Sequence, residues 1–326
     1  MKFLVTGAAG FIGKRVIAQL LKKNLSVIAT TTRVEDEKDI FFKYIDSKNL
    51  SRQNLEFTYL DMSSKESIDN IFSNNNITHI ISCGYQMSNM IDDNPIKGVE
   101  VNILGMTNLF EAVVKYKIKR MVMPSSMSVY GNAQSVYGSR PVHEDDYCGL
   151  KHQSFTYAVM KILNEFMAQK YNNKHNVSII TTRPSVVFGF GRQRSSLMWA
   201  EDFATLPAIG KPVHLPFPET NKDSFIYVED CAEQMVQLSL KEHLNHFVYN
   251  TGAETASGTQ LATIIKELVP SAKITFDNDG KLTPFIDEQN DNRIREELTF
   301  IPLSLKEGIR AHMNEARKYH GLEKIK

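Results

Sequence analysis

A chain of 326 residues, 42% hydrophobic and 23% charged, has ordinary globular composition and is long enough for one large core or two modest ones. Its formal net charge of +1 supplies no global field to draw nucleic acid or an anionic membrane, and no stretch approaches the roughly 18 uninterrupted apolar residues that read as a bilayer span. The apolar N-terminus is broken by Gly7, Gly10 and Gly13 and lacks a cleavage-type flank, so cytoplasmic residence and small-molecule partners are expected, with neither nucleic acid nor membrane. Cys83, Cys148 and Cys231 have neither CxxC nor Cys/His ligand spacing, which argues for buried or free thiols and against a disulfide frame or a metal site.

In chain order, the first feature is an apolar strand, Phe3-Leu4-Val5, that runs into TGAAGFIG at 6–13 and then into the helical run KRVIAQLLKK. That is the form of a dinucleotide-binding turn. Gly7 lets the chain turn tightly off the strand, Gly10 lets the backbone approach a pyrophosphate, and Gly13 lets the helix pack close on the sheet, while Phe11 and Ile12 lie at the helix start where phosphates meet free amides. Further β-rich runs follow at about 25–31, 55–60, 77–83, 119–125, 177–183 and 247–251, alternating with helical patterns near 12–23, 64–73, 97–116, 155–172, 229–240 and 258–268. This alternation predicts an α/β protein: a Rossmann-type doubly wound parallel sheet. Residues 1–189 and 222–253 are expected to form this domain, with 190–221 and 254–326 making a smaller, interleaved α+β substrate domain.

Candidate chemistry lies mid-chain. Tyr157 and Lys161 fall at the start of a predicted helix, and a spacing of four puts the phenol and the ammonium on one face, a turn apart. A cation beside a tyrosine favours the phenolate and suits it for proton transfer. About thirty residues upstream, SSMSVYG at 125–131 follows an apolar strand, at the carboxyl edge where open α/β sheets place their ligands.

Taken together, these residues resemble the extended short-chain dehydrogenase/reductases, in the branch of NAD-dependent epimerases and dehydratases. The resemblance runs through TGAAGFIG, Asp61-Met62, VNILGMTNLFEA at 101–112, SSMSVYG, YAVMK at 157–161, RPSVVFGFG at 183–191, FIYVEDCAE at 225–233 and VYNTGAE at 248–254. It implies that Ser126, four before Tyr130, polarises the substrate oxygen, that Tyr157 is the acid/base, and that Lys161 binds the nicotinamide ribose and tunes the tyrosine. It also implies that Asp61 and Met62 border the adenine, that Asn102 supports the central helix and its proton network, and that Pro184, Val186 and Val187 line the cofactor. Subunits of the resembling family pair through the two long helices, so a homodimer is expected, with Val101, Leu104, Leu109, Phe110, Val113 and Val114 on one helix and Phe155, Val159, Ile162, Leu163, Phe166 and Met167 on the other supplying more apolar surface than one sheet face can cover.

Departures from the pattern shape the reading. The second strand ends in Thr31, where NAD-preferring relatives carry an acid, and Arg33 follows; hydroxyls and an arginine accept a 2′-phosphate, which leans the expectation from NAD toward NADP. Ser82-Cys83-Gly84-Tyr85 replaces the usual His-Leu-Ala-Ala, with Cys83, Gly84 and Tyr85 beside the cofactor and Tyr85 or Gln86 facing the nicotinamide side. Met127 and Ser128 stand where 4,6-dehydratases carry an Asp-Glu pair, which argues against that reaction. Tyr85, Ser126, Ser128, Arg192, Arg194 and Lys222 are the candidate substrate contacts. The expected activity is NAD(P)-dependent hydride transfer at a secondary alcohol or ketone of a sugar-like substrate, free or nucleotide-linked, either as epimerase or as oxidoreductase. A smaller carbonyl or sugar-acid substrate is the alternative, and a non-catalytic cofactor-binding regulator is the second.

Overall fold

The computed structural model describes residues 1–132, 134–192, 197–252 and 254–325. From the N-terminus these form β1 (Lys2–Thr6), α1 (Gly13–Lys22), β2 (Ser26–Thr31), α2 (Val34–Ser47), β3 (Leu55–Tyr59), α3 (Lys65–Ser73), β4 (His79–Ser82), α4 (Ser88–Asp93) and α5 (Pro95–Val99). A π-helical turn over Glu100–Gly105 leads into α6 (Met106–Lys115), followed by β5 (Arg120–Pro124), α7 (Thr156–His175) and β6 (Ile179–Pro184). The chain continues through β7 (Val186–Phe188), α8 (Trp199–Ala208), β8 (Val213–Leu215), β9 (Lys222–Tyr227), α9 (Val228–Leu240), β10 (Val248–Thr251), β11 (Glu254–Ser257), α10 (Gly258–Leu268), β12 (Ile274–Phe276), α11 (Asn292–Glu297) and α12 (Leu305–Tyr319).

The expected doubly wound sheet is present, with seven strands in the order β10-β6-β5-β4-β1-β2-β3. Phe3, Leu4 and Val5 are buried because β1 is central, pairing parallel with β2 on one side and β4 on the other. Helix α1 buries Val16, Ile17, Leu20 and Leu21, the stripe its 3.6-residue periodicity places toward the sheet. Because β2 and β3 build outward to one side and the chain then returns to place β4 on the other side of β1, the strand order reverses between β1 and β4. That switch point is where open α/β sheets bind their ligands, beyond the strands' carboxyl ends.

Two compact units emerge: Met1–Ser125, Phe155–Thr182 and Ala232–Tyr249 in the first, and Ser126–Ser154, Arg183–Cys231 and Asn250–Lys326 in the second. This division differs from the expected ranges mainly at 126–154, a stretch read as part of the sheet domain that packs instead with the second unit. In the second unit β9 pairs parallel with β7 and antiparallel with β11, and β8 pairs with β12. The helix expected as one piece over 97–116 is divided: α5, the π-turn and α6 succeed one another, and Asn102 lies within the π-turn. Helices α2, α4, α8 and α11 were outside the expected set: α4 and α11 are single short turns of six residues, α8 is buried on nearly every side, and α2 carries a stripe through Phe41 and Ile45 that was not singled out.

A buried carboxyl in the second unit has a measurable consequence. Asp223 accepts hydrogen bonds from the Asn221 amide at 2.8 Å and the Thr283 hydroxyl at 2.9 Å, and burial pushes its pKa up to about 7. The folded state therefore holds a proton that the unfolded chain releases near the ordinary carboxylate value. The contribution of this carboxyl to stability is fully present below that value and is lost as pH rises through about 7. Asp223→Asn, which mimics the protonated side chain, is expected to raise the thermal midpoint at about pH 8 and leave it nearly unchanged at about pH 4. An equal shift at both pH values, read by calorimetry, would contradict this account.

Candidate functional site

At the end of β1, Gly7 adopts φ +61°, and a Cβ there would meet the Gly84 nitrogen at 2.6 Å and the Cys83 carbonyl carbon at 2.7 Å. The turn after β1 and the turn after β4 are thus packed backbone to backbone, which only glycine permits. The β4 side is fixed by Thr6, whose hydroxyl meets Ser82 at 3.1 Å and accepts from the Gly84 amide at 3.1 Å. Gly10 differs: a Cβ there would meet only the Gly7 carbonyl, at 3.0 Å, with open space otherwise. Helix α1 begins immediately beyond, with no side-chain cap and no acidic residue in its first turn. An unscreened positive helix end facing an open backbone fits the pyrophosphate of a dinucleotide. The buried Arg15 braces the turn, donating to the Phe11 carbonyl at 3.0 Å and lying 4.7 Å from the Phe11 ring centroid.

At the end of β2 the Thr31 hydroxyl donates to Glu37 Oε2 at 2.7 Å, and the Arg33 guanidinium pairs with the other Glu37 oxygen. A carboxylate therefore stands at this strand end after all, contributed by the first turn of α2. The sequence reading missed Glu37; its signal is the acidic run Glu35-Asp36-Glu37 opening the helix after β2. The lean toward NADP rested on Arg33 being available to a 2′-phosphate, and the ion pair with Glu37 removes that support. Asp61 accepts from the Ser63 amide at 2.9 Å, and Met62 is buried beneath Gly84 and Gly105.

The π-turn delivers Asn102, fully buried, to the loop after β4. Its side chain accepts from the Gln86 amide at 2.8 Å and donates to the Gln86 carbonyl at 3.1 Å, and its own carbonyl accepts from Asn164 at 2.9 Å. Asn102 is thus a brace for the 83–86 loop. Gln86 is held by its backbone, and Tyr85 is the residue this loop presents to the dyad.

Tyr157 and Lys161 lie on α7 as expected, with Lys161 Nζ 5.4 Å from the Tyr157 ring centroid. Lys161 is buried, and its ammonium donates to the Pro124 carbonyl at 2.6 Å and lies 3.4 Å from the centroid of Tyr85. Desolvation lowers its pKa to about 7, offset in part by Cys83 and Glu165; burial in turn pushes the Cys83 thiol up to about 12. The Tyr85 ring meets Tyr157 edge-on at 5.5 Å, and its hydroxyl accepts from Asn164 at 3.0 Å; burial pushes that phenol up as well. A cavity of about 10 Å³ behind the ammonium is lined by Ser82, Tyr85, Met106, Ser125, Lys161 and Asn164 among others.

In the second unit Ser126 is extended, at φ −167°, and its side chain accepts from the Ser128 amide at 3.1 Å, opening a short 3₁₀ turn in which Met127 and Ser128 are buried. Pro184, Val186 and Val187 are buried on β6 and β7. The Arg192 side chain donates to the Val187 carbonyl at 2.7 Å, and the backbone amides of Gly191 and Arg192 bond to the Glu201 carboxylate at 3.1 and 2.9 Å. Glu201 was not anticipated from the sequence, because it lies within an α8 that carries no clear stripe. Lys222 is exposed at the start of β9, and Arg194 lies outside the described residues. Among the described residues, no group of three or more His, Cys, Asp or Glu side chains could hold a metal ion.

A parallel sheet whose switch point carries a glycine turn and an uncapped helix start defines a dinucleotide-binding protein of the Rossmann class. The chain belongs to the NAD dependent epimerase/dehydratase family, whose profile matches residues 3–252. A UDP-glucuronate 4-epimerase of Thermodesulfobacterium geofontis is 27% identical over 325 residues, covering 97% of this chain and 96% of that protein. Among solved structures, the UDP-glucose 4-epimerase of Thermotoga maritima with UDP-glucose has a TM-score of 0.82 at 23% identity, covering 98% of this chain and all (100%) of the other. The holo L-threonine dehydrogenase of Cupriavidus necator has a TM-score of 0.80 at 17% identity, covering 97% and 99%. At those identities the structures establish a shared fold.

Proposed function

We propose that this protein is an NAD-dependent 4-epimerase of a UDP-linked sugar, a hexose or hexuronate, working in the cytoplasm; among its described residues no helix is long and apolar enough to cross a membrane. The observation that carries the reading is the dyad, with the Lys161 ammonium buried 5.4 Å from the Tyr157 ring on a chain that aligns nearly end to end with a UDP-glucuronate 4-epimerase. The Gly7–Gly13 turn would hold NAD, which when bound would supply a reversible hydride acceptor for the carbinol carbon, with return to the opposite face giving the C4 epimer. Tyr157 takes the hydroxyl proton as the hydride leaves and gives it back as the hydride returns, so no net proton or electron is exchanged with solvent. Lys161 supplies the positive charge that favours the phenolate, and Ser126 donates a hydrogen bond to the reacting oxygen. The turn opened by Ser126 carries Met127 and Ser128 and no carboxylate pair, which is the ground for setting aside 4,6-dehydration.

Incubation with UDP-glucose and with UDP-glucuronate, followed by chromatography of the sugar nucleotides, tests this directly: conversion to the C4 epimer without added cofactor is the expected result. A second reading, a dehydrogenase of a smaller hydroxylated substrate, draws on Lys222, which stands before Asp223 where the resembling sugar-nucleotide enzymes carry an arginine near the diphosphate, and which lacks that residue's planar fork. That reading predicts stoichiometric NADH release and no epimer.

Glu37 favours NAD over NADP, because its carboxylate would face a 2′-phosphate across Thr31. In titrations of the protein freed of cofactor, NAD is expected to bind at least 10-fold more tightly, and Glu37→Gln to narrow the gap. Preference for NADP by the unaltered protein would instead assign the site to Arg33.

Leu109, Phe110 and Val113 are buried in this subunit, whereas Leu104, Val159, Leu163 and Phe166 are 48, 37, 42 and 55% exposed, leaving an apolar stripe on the π-turn and α7. A second copy pairing on this stripe accounts for it. Light scattering is expected to give twice the 37.0 kDa chain mass, and Phe166→Glu to return it to the single-chain value; a single-chain mass for the unaltered protein would reject the dimer.

A further inference from the structure

Tyr85 occupies a place where the resembling pattern carries a small residue, and its surroundings are too specific for a space-filling role. The loop that bears it is clamped at Gln86 by Asn102, at 2.8 and 3.1 Å, so the ring is held from its own backbone. Its hydroxyl is held separately by Asn164, which is itself anchored to the Asn102 carbonyl at 2.9 Å. Fixed at both ends, the ring turns its face to the Lys161 ammonium at 3.4 Å and meets the Tyr157 ring edge-on at 5.5 Å.

We propose that Tyr85 is a positioning residue that holds the Lys161 ammonium, charged and close to Tyr157, by a cation–π contact that substitutes for a carboxylate. This rests on the reading of Tyr157 and Lys161 as the proton-transfer dyad. The groups facing the ammonium are few. Helix α7 contributes Tyr157 and, one turn on, Glu165; the loop after β4 contributes the Cys83 thiol and Tyr85; the end of β5 contributes the Pro124 carbonyl and, on the cavity wall, Ser125. No carboxylate among the described residues forms an ion pair with Lys161. Burial works against the charged form, and a carboxylate strong enough to offset it would also repel the phenolate that the charge is there to favour. An aromatic face avoids that conflict: its quadrupole attracts a desolvated cation without a formal negative charge beside Tyr157.

The ring stabilises the ammonium, so removing it lowers the Lys161 pKa further from its ordinary value, and the charge is lost at a lower pH. Two substitutions separate ring from hydroxyl. Tyr85→Leu removes the aromatic face and is expected to move the alkaline limb of the kcat/KM profile down by roughly one pH unit. Tyr85→Phe keeps the face, gives up only the Asn164 bond, and is expected to keep the limb in place. Tyr85→Met, similar in length, replaces the leucine variant should that one fail to fold. The titration of Lys161, followed by NMR of isotope-labelled lysine in the protein without substrate and assigned with Lys161→Arg, is expected to shift in the same direction and by the same amount. An unchanged lysine titration in Tyr85→Leu or Tyr85→Met overturns the proposal, whatever the activity. A shifted titration in a protein that epimerises no UDP-sugar upholds Tyr85 and removes the functional reading instead.

Discussion

Tyr157→Phe is expected to lower turnover by roughly 10² or more while leaving the fold and the affinity for NAD nearly unchanged. The phenol oxygen is the only atom removed, so packing of the ring against Tyr85 is preserved, at the 5.5 Å edge-on separation. On the proposed mechanism what is lost is the group that receives the proton, and a solvent molecule admitted in its place is neither positioned nor poised by the ammonium. Lys161→Ala differs in kind. It removes the charge and leaves the Pro124 carbonyl and the Tyr85 face without their cation, so both turnover and cofactor binding should weaken. Near wild-type turnover in Tyr157→Phe, measured with whichever UDP-sugar is converted, would remove the dyad from the mechanism.

The dyad and the glycine turn were legible in the sequence because each is set by local geometry. A spacing of four on a helix fixes Tyr157 and Lys161 to one face whatever surrounds them, and Gly7 turns the chain off β1 at φ +61°, a left-handed conformation that glycine adopts freely. The strands of the large sheet were legible for a related reason, since buried parallel strands read as short, continuous apolar runs bounded by turns.

What escaped depends on contacts between residues far apart in the chain, or on a change of helical period. Glu37 reaches Thr31 only because α2 starts at Val34 and turns its first residues back over the strand end; from the sequence alone it was one acid among three. The π-turn at 100–105 is invisible to periodicity because one wide turn barely disturbs an apolar pattern, yet it is what brings Asn102 onto the Gln86 backbone. Tyr85 was placed near the nicotinamide by its position after β4, but its hold on the ammonium depends on Asn164, which is 79 residues away. The grouping of 126–154 with the second unit likewise rests on long-range contacts, such as those of Glu144 with the Arg183 side chain and the Asn250 amide.

Gly10→Val should abolish detectable dinucleotide binding, a loss of at least 10²-fold, at a small cost in stability, and the contrast with Gly7 makes the result specific. At Gly7 the conformation is left-handed and a Cβ would lie within 2.7 Å of the backbone of the β4 turn, so any side chain there strains the fold itself. At Gly10 the backbone is not left-handed and a Cβ touches only the Gly7 carbonyl, at 3.0 Å. Beyond that contact the added methyl groups enter open space over the start of α1, the space a pyrophosphate needs if it is to reach the helix amides. Gly7→Val is therefore expected to lower the thermal midpoint and the affinity together, whereas Gly10→Val lowers the affinity with only a small change in the thermal midpoint. Calorimetric titration with NAD, paired with thermal melts of both variants, reads the two effects separately. If Gly10→Val bound NAD as the unaltered protein does, the pyrophosphate could not lie over this turn, and the placement of the cofactor along Gly7–Gly13 would have to be given up.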